Sequence, residues 1–109
     1  SFLNVLDLAE NSISSKGVMI LQEQINEDCA LTSLILGRNE LGDSGAKLIG
    51  MVLKTNQSLR DIDLSYNQIW CNGAAALADG LEANQTLKVM RLSVNPIGFE
   101  GALLIAKAL

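Results

Sequence analysis

LTSLILGRNELGDSGA, residues 31–46, changes its hydrophobic period part-way along. In the first half Leu34 and Leu36 point one way and Ser33 and Ile35 the other, the alternation of a short strand with one buried face. From Gly45 onward Ala46, Ile49 and Leu53 fall at helical spacing, which places them on one stripe. The segment therefore reads as strand, loop, helix. The same frame returns without slippage every 28 residues, opened by Leu3, Leu31, Leu59 and Leu87. Asparagine recurs at the ninth position of each unit (Asn11, Asn39, Asn67, Asn95) and glycine at the fifteenth (Gly17, Gly45, Gly73, Gly101).

A single unit of this size has too little core to offset the conformational entropy of ordering it. Stacking resolves this, because strands of successive units pair into a parallel sheet, helices pack behind it, and the leucines merge into one core. A helix is about twice as wide as the ~4.8 Å spacing of paired strands, so the stack is expected to curve with its sheet on the concave side. The expected fold class is α/β: a solenoid arc of four repeats (3–30, 31–58, 59–86, 87–109) forming a single domain over 1–109.

The pattern L-x-x-L-x-L-x-x-N-x-[IL]-x-x-x-G-A, nearly unbroken from Leu31 to Ala46, resembles the leucine-rich repeat of the ribonuclease-inhibitor type. The resemblance takes in all but Ser1 and Phe2 and implies a horseshoe with its parallel sheet inside. It says less about function. Such repeats occur in ribonuclease inhibitors, in sensor domains of nucleotide-binding immune receptors, in activators of Ran-type GTPases and in ciliary scaffold proteins. The inhibitor itself would imply many cysteines and two alternating repeat types, whereas this chain has two cysteines and its units read as one kind, so ribonuclease inhibition is not expected.

Asn11, Asn39, Asn67 and Asn95 are expected to form a structural ladder, bonding backbone groups that the strand leaves unpaired at its turn. The glycine column allows close approach of loop to helix, and no Gly-rich phosphate loop is present. Asn56-Gln57-Ser58 and Asn84-Gln85-Thr86 match glycan acceptors, but both directly follow a helix, where Asn tolerates a left-handed helix end, so turns are the preferred reading.

About half the residues are hydrophobic, yet no apolar run approaches the ~18 residues a membrane span needs. The net charge of −4 is scattered, without the basic footprint of nucleic-acid binding. Cys29 and Cys71 fall in different repeat columns, too far apart for a disulfide, which points to a reducing, cytoplasmic setting. The chain has no histidine, so Ser-His and Cys-His catalysis is excluded and the commonest metal ligand is missing. Asp61 and Asp63 share one face of a strand, but Arg91 stands beside Asp63 on the next, and an exposed cross-strand ion pair is the plainer expectation. Neither enzymatic activity nor any cofactor or metal is expected.

A protein partner is. Strand positions three (Val5, Ser33, Asp61, Val89) and five (Asp7, Ile35, Asp63, Arg91) face the inside of the arc, and loop position eight (Glu10, Arg38, Tyr66, Val94) adjoins them. These residues differ from repeat to repeat, unlike the leucines and asparagines. Ile35, Arg38, Asp61, Asp63, Tyr66, Val89 and Arg91 are the candidate partner-binding residues, rich in types that concentrate interface energy or orient a partner. Trp70 joins them from position twelve, with Phe99 beside it in the next repeat. The competing reading lays Trp70 over Phe99 or Pro96 as a cover for the loop. Ser15 and Asp43 read as helix N-caps that repeats three and four give up.

Leu3 opens directly in a strand and Leu109 lies in a helix, with no polar cap at either end, so a piece of a longer array with end-to-end self-association is expected. The leading function is a protein-interaction module or scaffold. The alternatives are a regulator of a small GTPase, as resemblance to Ran-type activators would imply, and a purely structural spacer.

Overall fold

The computed structural model describes residues 4–27 and 30–109, with backbone alone at 26 and 27. Expectations resting on Leu3, Asp28 and Cys29 lie outside them. Four units of strand and helix follow one another: β1 (Val5–Asp7), α1 (Ser15–Glu27), β2 (Ser33–Ile35), α2 (Gly42–Thr55), β3 (Asp61–Asp63), α3 (Cys71–Ala83), β4 (Val89–Arg91) and α4 (Gly98–Ala108). The strands form one parallel sheet in the order β1-β2-β3-β4. Every register pairs residues 28 apart, as in Leu6 with Leu34, Leu34 with Ile62 and Ile62 with Met90. The repeat seen in the sequence is thus the register of the sheet.

The core lies between sheet and helices. Leu34 and Ile62 from the strands, with Leu36 and Leu64 just beyond them, meet Ile49, Val52, Ile69 and Leu77 from the helices and loops, all fully buried. Helices α2 and α3 touch at the backbone: a Cβ at Gly80 would stand 2.5 Å from the carbonyl oxygen of Gly50, and one at Gly50 the same distance from that of Ala76. Only glycine permits this approach. The apolar stripe continues on α4, but there Leu103 and Leu104 are exposed.

The asparagine column forms the expected ladder. Asn67 is fully buried; its Oδ1 accepts from the backbone N–H of Asn39 (3.2 Å) and Leu41 (3.4 Å), and its Nδ2 donates to the carbonyls of Leu36 (2.9 Å), Leu64 (3.0 Å) and Ser65 (3.0 Å). Asn39 does the same one repeat earlier, accepting from Asn11 and Ile13 and donating to Leu8 and Leu36. Asn95 accepts from Asn67 and Ile69. Asn11 is exposed, and its side chain donates to the Ala9 carbonyl of its own repeat. The rungs at Asn39, Asn67 and Asn95 each satisfy groups of two repeats at once, the accounting that buried backbone demands.

A second ladder lies at the other end of the strands. Asn56 Oδ1 accepts from the N–H of Ser58 (2.9 Å) and Leu59 (2.8 Å) while its Nδ2 donates to the carbonyl of Ile25 in α1, one repeat back. Asn84 repeats this, accepting from Thr86 and Leu87 and donating to Leu53 and Asn56. The turn reading of these triplets agrees with amides so engaged, but its reason needs correction. Neither residue is left-handed: Asn56 has φ −75° and Asn84 φ −99°. Asparagine serves here as an acceptor for the start of the next strand rather than as a tolerated helix end.

Three further expectations change. The helices begin two or three residues before the glycine column. Ser15 is the first residue of α1, and the Ser14 carbonyl accepts from Val18 N–H. Asp43 lies inside α2, whose N-cap is Leu41, and its Oδ1 reaches across to the backbone N–H of Trp70 at 2.7 Å. It ties two repeats together instead of capping its own helix.

Nor are the four units of one kind. In repeats one and three the loop takes a left-handed residue at position ten, Ser12 (φ 53°) and Gln68 (φ 59°), whereas in repeats two and four the left-handed residue is a glycine at position twelve, Gly42 (φ 62°) and Gly98 (φ 72°). The helix then starts one position earlier, at Gly42 and Gly98. Of the two contrasts drawn with the ribonuclease inhibitor, only the scarcity of cysteine stands.

Candidate functional site

Registered pairing sets the candidate residues side by side. Val5, Ser33, Asp61 and Val89 form one row across the sheet, and Asp7, Ile35, Asp63 and Arg91 the next. Both rows are at least partly exposed, while the row between them, which holds Leu34 and Ile62, faces the core. Alternation with period two forces this division.

Arg91 is the register partner of Asp63, but its ion pair is diagonal: Nη1 stands 2.6 Å from Oδ1 of Asp61. The expected Asp63–Arg91 pair is therefore corrected. Asp63 is occupied otherwise, its Oδ1 accepting from Ser65 N–H at 3.0 Å where the chain leaves β3, as Asp7 accepts from Ala9 N–H after β1. The bond that Arg91 donates to Asp61 and the negative charge of Asp61, with a smaller contribution from Asp63, raise the Arg91 pKa, so the guanidinium is firmly charged. Among the described residues no cation pairs with Asp7 or Asp63.

Beyond the strands the ladder continues, with Glu10, Arg38 and Tyr66 donating backbone N–H bonds to Gly37, Ser65 and Ser93. All four position-eight residues are left-handed, Glu10 at φ 60°, Arg38 and Tyr66 at 58° and Val94 at 55°. For residues other than glycine this conformation costs about 1–2 kcal/mol each. The neighbouring asparagine rungs hold the turn in place. No glycine or asparagine marks position eight, so the sequence carried no signal of it.

Along this rim the side chains make a continuous strip. Nε of Arg38 lies 3.8 Å from the Glu10 carboxylate, and its guanidinium stacks 3.9 Å from the centre of the Tyr66 ring. Past Tyr66 opens a notch of about 300 Å³ lined by Tyr66, Gln68, Trp70, Val94 and Pro96. A more polar hollow of about 360 Å³, holding Arg38, Asp63 and Ser65, lies on the other side of the same tyrosine. Trp70 is 60% exposed and lines the notch with Pro96. Phe99 is also exposed, at 82%.

The structure brings together Arg38, Asp63, Tyr66 and Trp70 through the two hollows and joins Asp61 to Arg91; Ile35 and Val89 lie in the rows beside them. Sequence reasoning missed Val94, Gln68 and Pro96 as notch walls, because only the stacking of repeats three and four makes them neighbours. Among the described residues no group of three His, Cys, Asp or Glu gathers to hold a metal. Cys71 is a free, partly buried thiol. No helix among them is long and apolar enough to cross a membrane.

A family model described as Leucine Rich repeat matches residues 1–21, 28–50, 55–78 and 83–106, and the chain belongs to the leucine-rich repeat family. No curated protein sequence matches it. Among solved structures it is similar to leiomodin-1 actin-binding site 2, with a TM-score of 0.88 and 21% identity over 96% of this chain and 62% of that one. It is also similar to the tropomodulin C-terminal domain of Caenorhabditis elegans, with a TM-score of 0.75 and 19% identity over 98% of this chain and 65% of that one. The chain thus spans somewhat less than two thirds of each, and at these identities the likeness is one of fold.

Proposed function

We propose that this chain is a protein-interaction segment that grips its partner with the concave rows and the adjoining rim strip from Glu10 to Trp70. The observation that carries the reading is the side-by-side exposure of Tyr66, Trp70 and Val94 around one notch, at columns that vary from repeat to repeat on a protein whose repeat-invariant positions are spent on core and ladder. Aromatic and arginine side chains at the centre of a patch are the groups that dominate binding energy. Asp61, Asp63 and Arg91 supply charge for orientation, and Ile35 and Val89 supply apolar surface between them. A cytoplasmic, reducing location accords with this reading, since Cys71 is a free thiol.

The leiomodin-1 chain is described as an actin-binding site, so purified actin is the first partner to test. Binding of this chain to actin should be measured beside that of the Tyr66→Ala/Trp70→Ala variant, with proximity labelling in cells for both. Partners held by the wild type and lost from the variant are expected. An unchanged set of partners, with the variant folded, would defeat the proposal.

A further inference from the structure

We infer that the occupant of the rim is a short basic peptide segment with an apolar anchor: the anchor fills the notch between Tyr66, Trp70, Val94 and Pro96, and a lysine or arginine beside it reaches over Tyr66 to Asp63. The inference rests on the proposed function and specifies the chemistry of its partner.

The notch supplies the first half. Its walls are two aromatic rings, a valine and a proline, and an open, mostly exposed Trp70 leaves room for an aliphatic or aromatic side chain to be sandwiched. The walls are preset. Tyr66 is held in its left-handed turn by the ladder bond to Ser93, and the backbone N–H of Trp70 is tied to Asp43. The backbone that carries the walls is thus already ordered, and a ligand has mainly side-chain rotamers left to fix.

Charge supplies the second half. Both cations of this face are already matched, Arg38 by Glu10 and the Tyr66 ring, Arg91 by Asp61. Two carboxylates are not: Asp7 and Asp63, which flank Ile35 in one row of the sheet. Each spends one oxygen on a backbone N–H two residues along and forms no ion pair among the described residues, although Arg91 beside Asp63 feels its charge. Arg60 and Lys88 precede β3 and β4 and so belong to the opposite rim. The face therefore carries excess negative charge beside an apolar hollow, and the complementary ligand is apolar and basic. Asp63 and Tyr66 line the same hollow next to the notch, so anchor and cation are adjacent residues or separated by one or two.

The test is selection of a random peptide display library on the immobilised chain, with Trp70→Ala and Asp63→Asn as counter-targets. Both variants are expected to fold, because among the described residues Trp70 is bonded through its backbone alone and the amide introduced by Asp63→Asn keeps an oxygen that accepts from Ser65; circular dichroism checks this. Enriched sequences should pair an apolar residue with a nearby Lys or Arg. A synthetic peptide of the consensus should bind at least tenfold more weakly to Trp70→Ala, and several-fold more weakly to Asp63→Asn with a shallower dependence on salt. Peptides that require Trp70 but are acidic or uncharged, and ignore Asp63→Asn, would overturn this inference while leaving the interaction surface in place. Absence of any Trp70-dependent enrichment would overturn it as well, and the actin and labelling measurements then decide the broader proposal.

Discussion

Replacing Asn67 by alanine should cost this small solenoid a large share of its stability. The side chain makes five bonds from a fully buried position. The three carbonyls it serves keep another donor each: Leu36 retains Asn39 Nδ2, Leu64 retains Asn95 Nδ2, and Ser65 retains the N–H of Arg38. The two donors fare worse, since the N–H groups of Asn39 and Leu41 lose the Oδ1 that accepts them. A buried donor left without a partner costs about 1–3 kcal/mol, so the loss is about 2–5 kcal/mol, tempered by the long bond from Leu41. A domain of this size has about 5–15 kcal/mol in hand. Urea denaturation followed by circular dichroism should show a midpoint lower by about 2 M at a slope near 1.5 kcal/mol/M. Along the ladder the loss should be graded. Asn95→Ala should approach Asn67→Ala because it strips the acceptor from the N–H groups of fully buried Asn67 and Ile69, Asn39→Ala should cost less because its donors belong to exposed Asn11 and half-buried Ile13, and Asn11→Ala should cost less than about 0.5 kcal/mol, as surface changes do. Equal losses at Asn11 and Asn67, or a loss at Asn67 under about 0.5 kcal/mol, would show that burial of unpaired amides is not what the column prevents.

Gly80→Ala should destabilise by about 1–3 kcal/mol although alanine favours helices, because its methyl would press on the Gly50 backbone; the check is the same denaturation series. Val94 is a β-branched residue at φ 55°, so Val94→Asn should raise stability by about 1 kcal/mol while widening the notch. Trp70→Ala should shift the thermal midpoint little, within about 0.5 kcal/mol, against a loss of about 2–5 kcal/mol for Leu34→Ala in the core. In double-mutant cycles Arg91 should couple to Asp61 more strongly than to Asp63, with the Asp61 coupling weakened by added salt; the reverse ranking would contradict the diagonal pair.

The 28-residue spacing and its two hydrophobic periods determined the strand-helix unit, the parallel register and the buried leucines, because a side chain's face follows from its place in the period. Strand rows facing the arc were legible for the same reason. What depended on contacts between units was not. Asp43 reaches Trp70 rather than its own helix, Arg91 turns to Asp61 rather than to its register partner, and Asn56 and Asn84 serve the next strand from extended backbone. Serine and tryptophan against glycine at position twelve hinted that the loops alternate, but the residues that compensate, Ser12 and Gln68, carry no left-handed signature. The notch likewise exists only where two stacked repeats set Tyr66 and Trp70 against Val94 and Pro96. Periodicity specifies direction within a unit; the choice among several bonding partners within reach is made by distance across units, and that only the tertiary structure decides.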